Sequence, residues 1–514
     1  MYLILSSSKD AYITNKIIQG SFRATDSNTG RAGTLDLFKL YDESTIAGES
    51  DPIELSRALI KFDLSKLRTL TGSILDINDP SFKCLLSLKS VNGTQTVPRN
   101  FSLIAYPLSQ SFDEGDGRDV GSFSDLDVCN FVTASYSGGT VYPWHATGAN
   151  SIGFLGSNNI DIIGSGNLGA GVVQFGSSQL FDIGTEDLSV NVTPIISGVL
   201  AGLIPDHGFR ISYVVSEEVD TKTRFVKRFG SRHSKNPFFK PSLNVFFDDV
   251  LIDNHSNFVF DVTGSLLLSN YHRGVSSNIL SGAALTPLVG ANALTVTLST
   301  NNYSASFFAS QYTGSTTGIG LPGTYQALFA LSSVDTGIVS GSTTLGDLII
   351  SSGSVTFNEV WSSNDGTIPF YSGTLTVGMP QRVAYTSIPA APVLKVVNLN
   401  SSYRTCDDIR VRLFGLDTTN VQNRPAKSPR DLVSEIFDAI YYRVVDSDTG
   451  IVVIPFTKDG NATRCSVDSE GMYFRFMMSN LPPGRVYYFE FLVNDRGSEN
   501  ILPNKSPLFR VDPA

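Results

Sequence analysis

Apolar and polar residues alternate along much of the chain with period two. Across residues 57–64, Ala58, Ile60, Phe62 and Leu64 fall on one face of an extended chain and Arg57, Lys61 and Asp63 on the other. That spacing predicts a half-buried antiparallel strand. Residues 101–106, 209–214 and 243–246 repeat it. Clusters of Gly, Ser, Asn and Asp separate the runs, as in a sandwich or barrel. Helical spacing is rare. At 193–202, Thr193 can cap, Pro194 suits the first helical position, Ile195, Ile196, Val199 and Leu200 share a face, and Gly202 can end the helix. Residues 428–437 open with a similar Ser-Pro pair. Strands do not alternate with helices, and no fixed-period repeat occurs. The predicted fold class is all-β, a series of antiparallel β-sandwiches.

The 514 residues include 17% charged side chains, below the roughly 25% of ordinary soluble domains. Ser, Thr, Asn and Gly take their place, which disfavours long solvent-facing helices. With 33 Phe and 19 Tyr the chain is too aromatic to remain disordered. A net charge of −10 argues against nucleic-acid binding by the whole chain. Four cysteines at 84, 129, 406 and 465 form neither a disulfide framework nor a zinc spacing. The first eight residues read as a strand rather than a signal peptide, and no stretch has the length of a membrane span.

Composition divides the chain into three. Beyond Asp248 and Asp249 it becomes rich in Ser, Thr, Gly and Leu with few charges, up to about residue 385, and Pro389 and Pro392 mark a stiff linker. The expected domains are 1–249, 250–387 and 388–514. Runs such as 293–298 and 373–377 alternate apolar and hydroxyl residues, which suits a second sandwich.

Six short motifs in the first domain appear in an order resembling the DNRLRE-type jelly-roll modules, relatives in shape of carbohydrate-binding sandwiches. They are Asp10-Ala11-Tyr12-Ile13 with Ser27-Asn28-Thr29-Gly30, the strand 57–65, Ser111-Phe112-Asp113-Glu114-Gly115, Val190-Asn191-Val192-Thr193 with the strand from His207, Phe229-Gly230-Ser231-Arg232, and Lys240-Pro241-Ser242-Leu243. Phe112 stands where that family usually has Trp. The resemblance implies a sandwich used for adhesion or assembly, with no chemistry of its own. In the third domain, Leu481-Pro482-Pro483-Gly484-Arg485-Val486-Tyr487 resembles the tyrosine corner of immunoglobulin and fibronectin type III sandwiches, in which Tyr487 would bond back to the backbone. The ensemble resembles virion structural proteins of tailed bacteriophages, of the marine and cyanobacterial type. That resemblance implies synthesis in the bacterial cytoplasm, residence in the virion, other virion proteins as partners and a homo-oligomer within a symmetric assembly.

Candidate sites are few. Asp113, Glu114, Asp116 and Asp119 crowd one Gly-broken loop and offer oxygen ligands for a structural Ca²⁺, although the EF-hand pattern is missing and a solvated acidic loop is the better account of them. Lys222, Arg224, Lys227, Arg228, Arg232, Lys235 and Lys240 make a basic stripe without an acid. It can meet an acidic neighbour or an anionic sugar, or simply mark an edge strand. Tyr142 and Trp144 can stack on a sugar ring or pack in a loop. Gly164 to Gly169 matches G-x-G-x-x-G, but no helix start follows, so a flexible loop is expected rather than a nucleotide site. No catalytic spacing of His, Ser or Cys is present. The expectation is a non-enzymatic structural component of a phage tail, baseplate or neck, needing no cofactor. The alternative is a tail adhesin that binds host surface glycan.

Overall fold

The computed structural model describes residues 1–42, 51–71, 74–93, 96–169, 171–301, 303–313, 320–336, 344–379, 391–418, 434–495 and 497–514. Strands dominate, and most pairs are antiparallel, so the chain is a multidomain all-β protein. It divides into two compact units. The first comprises Leu3–Leu70 and Phe82–Phe246; the second comprises Met1–Tyr2, Thr71–Ser81 and Phe247–Ala514. The division at 246/247 lies close to the composition shift after Asp249.

In the first unit the strand Ile53–Phe62 lies between Tyr2–Thr14 and Phe209–Tyr213, and it also pairs with Thr34–Tyr41. With neighbours on both sides it is buried almost throughout, not on one face only. Arg57 is therefore a buried residue, contrary to the alternation. Its guanidinium makes two hydrogen bonds to Glu218, at 2.9 and 2.7 Å, and a third to the Gly148 carbonyl. Phe101–Pro107 keeps the strict alternation the sequence predicts. The helix Thr193–Leu200 forms as expected, with Gly202 beyond it at φ 74°. Thr193 does not cap it: its hydroxyl accepts from the Cys84 N–H and donates to Asn191. Of the loop expected at 164–169, residues 164–167 belong to a strand, Ile162–Asn167, which lies between Ile152–Phe154 and Val172–Gln174.

The second unit contains a seven-stranded sheet running, in spatial order, from Phe258–Val259 through Pro369–Gly378, Ser354–Ser363, Leu294–Thr300, Tyr303–Thr313 and Gly320–Phe329 to Gly264–Ser269. One face carries a core that includes Leu294, Val296, Leu298, Tyr325, Phe357, Trp361, Leu375 and Val377. The helix Leu345–Ser352 adds Leu345 and Ile349 to it; Thr344 and Asp347 close a capping box at its start, and Gly353 ends it at φ 79°.

Residues 391–514 form a four-stranded and a six-stranded sheet. Between them Tyr442 stacks on Phe474 at 4.4 Å, and Phe474 meets Phe489 edge to face at 5.1 Å. The Tyr487 hydroxyl donates to the Pro482 carbonyl at 2.7 Å, closing the tyrosine corner as its motif implies. Of the second helix expected at 428–437, residues 428–433 lie outside the described residues and 434–437 are not helical.

Candidate functional site

The acidic loop is drawn into the first unit's own architecture. Asn28 donates to the carbonyls of Glu114 and Cys129, each at 2.8 Å. A Cβ on Gly30 would lie 2.0 Å from the Glu114 carbonyl oxygen, so only glycine fits there. Arg232 holds Glu114 through two bonds, at 2.6 and 2.7 Å, and its backbone N–H reaches Asp10 at 2.6 Å. Asp10, Asn28, Glu114 and Arg232, from three of the six motifs, thus meet at one corner. Burial, with the Glu114 charge adding to it against the Arg232 N–H, pushes the Asp10 carboxyl up to about 7.

The remaining calcium candidates have other partners. Asp113 accepts the Tyr136 N–H and faces Lys9; Asp116 pairs with Arg31 at 2.9 Å; Asp119 accepts the N–H groups of Gly121 and Ser122. Among the described residues no group of three His, Cys, Asp or Glu could hold a metal ion.

The basic stripe is largely turned inward. Lys227 is fully buried and donates to the Ser90 hydroxyl and to the carbonyls of Gly184 and Glu186 at 2.7–2.9 Å. Burial pushes its ammonium down to about 8. Arg224 binds Asp220, Arg228 binds Asp36 and Arg232 binds Glu114. These four cations are engaged within the unit and do not form the expected interaction surface. Lys222 and Lys235 are exposed, and Lys240 is half-buried. The proposed sugar platform is also divided. Tyr142 is 49% exposed, but Trp144 is 4% exposed, packed in the core, and donates its indole N–H to the Asn130 carbonyl at 2.9 Å.

A cleft of about 850 Å³ lies wholly in the second unit. Its floor comes from the inner face of the seven-stranded sheet, where Glu359 and Trp361 stand opposite Gly373 and Tyr371. His255 lies between two carboxylates, with Nδ1 2.5 Å from Asp253 and Nε2 2.8 and 2.9 Å from the two oxygens of Glu359. Trp361 donates its indole N–H to Glu359 at 2.5 Å. Burial lowers the imidazole's pKa, but the hydrogen bonds and charges of Asp253 and Glu359 outweigh it and raise it to about 9. His255 is thus an imidazolium at neutral pH.

The facing wall comes from the strands Asp408–Asp417 and Gly471–Met477. Arg412 reaches Asp468 at 2.5 Å and Glu470 at 2.7 Å, and Arg475 reaches Asp408 at 2.5 Å. The guanidiniums of Arg410 and Arg412 lie 4.6 and 5.1 Å from the centre of the Tyr473 ring. Sequence reasoning missed this site, because its residues come from points spread between 71 and 475 and no local motif joins them.

No protein-family model matches the chain, and no curated protein matches it. Solved structures with some likeness include tandem Ig repeats of Dlar, with a TM-score of 0.13 at 8% identity, covering 43% of this chain and 82% of that one. The chicken CNTN1 FN1–FN3 domains give 0.15 at 9% identity, covering 63% and 82%. Trypsin-activated alpha-2-macroglobulin from Escherichia coli gives 0.16 at 6%, covering 91% and 23%. Scores this low place the chain in no family. Among the described residues no helix is long and apolar enough to cross a membrane.

Proposed function

We propose that this chain is a non-enzymatic structural component of a tailed-phage virion, in the tail, baseplate or neck. It is made in the host cytoplasm and acts by assembling with copies of itself and with other virion proteins. The motif series in the first unit, read as a jelly roll, and the tyrosine-corner sandwich, read as Ig-like, are modules suited to that work.

One observation carries the assembly reading. From Gly274 to Val334 the sequence has no Asp, Glu, Lys or Arg. On the outer face of the sheet this stretch builds, Phe308 and Leu328 are 61% and 62% exposed. Ser310 pairs with Gln326, so Phe308 and Leu328, two residues along each strand, stand side by side. An uncharged face with adjacent large apolar side chains favours burial against a neighbour over life as a monomer. A second copy of the chain suits it, since a face without charge meets no repulsion from its own kind.

Sedimentation of the purified protein tests this. The wild type should run as an oligomer, and Phe308→Lys combined with Leu328→Glu should shift it to monomer without lowering its melting temperature. A wild type that stays monomeric at high concentration, or its absence from purified particles, would retire the reading. A second reading, a tail adhesin for host surface glycan, is favoured by the 850 Å³ cleft. The non-catalytic reading is supported by the same place: His255 engages both Asp253 and Glu359, which leaves neither as an open acid or base.

A further inference from the structure

The geometry of the second unit's cleft points to a ligand class: we infer that it binds a segment of neutral oligosaccharide, stacked on Tyr271 and Tyr371 and hydrogen-bonded along the ionic wall. This deepens the adhesin reading and rests on it, while the assembly reading is independent of it.

The volume falls within the range of small-molecule and cofactor sites. Two of its aromatic residues have uncovered surface, Tyr271 at 56% and Tyr371 at 46%. Gly373 lets the Tyr371 side chain lie against its strand, since a Cβ there would come 2.5 Å from the Tyr371 hydroxyl oxygen and 3.0 Å from its ring. A pyranose presents an apolar C–H face to such a ring and hydroxyls around its rim.

The polar groups of the cleft suit those hydroxyls. Arg412 is joined to Asp468 and Glu470, Arg475 to Asp408, and His255 to Asp253 and Glu359. Such partners offset the field that would draw an ion, yet carboxylate oxygens retain lone pairs and guanidiniums retain N–H groups. Each sugar hydroxyl both donates and accepts, so it can bridge a carboxylate and a guanidinium without separating them. A charged peptide or an acidic polysaccharide would have to break those pairs, at a cost of desolvated charge. The clamp on Glu359 by His255 and Trp361 fixes the floor before any ligand arrives, which lowers the entropy lost on binding.

Affinity electrophoresis of the full chain, run through gels containing dextran, starch, mannan, galactan or xylan, with alginate as the acidic probe, tests the inference. At least one neutral polymer should retard the wild type. Tyr271→Ala with Tyr371→Ala should weaken that retardation roughly tenfold, and Arg410→Ala should weaken it less. Tyr142→Ala, in the other unit, should leave it unchanged. Because both tyrosines are exposed, unaltered melting of the double variant will separate lost binding from lost folding. Retardation by alginate alone, by none of the neutral polymers, or with undiminished strength in the double variant overturns the inference. None of these results bears on whether the chain assembles.

Discussion

Two aromatic side chains show how far residue type predicts residue role. Tyr487 was legible because its partner is close: its hydroxyl reaches the Pro482 carbonyl, five residues earlier, so one short motif contains both ends of the bond. Trp144 was not, because the core cluster it joins includes Ala11, Leu59 and Ile162, which no reading of its own loop brings together. Replacing Tyr487 by Phe keeps the ring in its buried site and removes only the hydroxyl. The expected cost is about 1 kcal/mol, the net worth of one hydrogen bond, read as a lower urea midpoint with an unchanged slope. A variant as stable as the wild type would mean that the corner is held by ring packing alone.

Elements repeat the lesson at longer range. The period-two pattern located the strands well, including Phe101–Pro107, Leu294–Thr300 and Pro369–Gly378. It failed on the faces of Ile53–Phe62 because a central strand is covered on both sides, and alternation reports only half-burial. The basic strand Arg224–Gly230 misled for a related reason. Its acidic partners Asp36 and Asp220 and the carbonyls around Lys227 lie outside the strand, so the sequence displays cations without their counterparts. Lys227→Ala should therefore destabilise the first unit by about 2–4 kcal/mol, since it leaves a cavity and strips three acceptors of their donor. Lys222→Ala with Lys235→Ala, at exposed positions of the same stripe, should shift stability by less than about 0.5 kcal/mol. Thermal melts of both proteins decide the matter, and equal effects would contradict the inward placement of Lys227.

For the whole molecule, the two units should respond to alkali in different ways, and the cleft makes the difference. His255 belongs to the second unit, and its pKa is raised to about 9 from an ordinary 6.5. Its contribution is complete below pH 6.5 and is lost as pH rises through 9, because the folded state alone keeps the proton in that interval. The size is about 3 kcal/mol. In the first unit Lys227 works in the opposite sense. Burial lowers its pKa from 10.5 to about 8, so from pH 8 upward the unfolded chain binds the extra proton and folding becomes easier. The chain has two tryptophans, and they divide between the units: Trp144 in the first, and Trp361, hydrogen-bonded to Glu359, in the second. In a Trp144→Phe protein the fluorescence therefore reports the second unit alone, beside the His255 clamp. Its urea midpoint should fall steadily between pH 6.5 and 9. Adding His255→Gln should flatten that profile, since the glutamine amide N–H groups can still donate to a carboxylate but cannot titrate. A profile that falls equally with His255 and with Gln at this position would show that the clamp does not hold the proton, and would remove the charge balance on which the floor of the cleft depends.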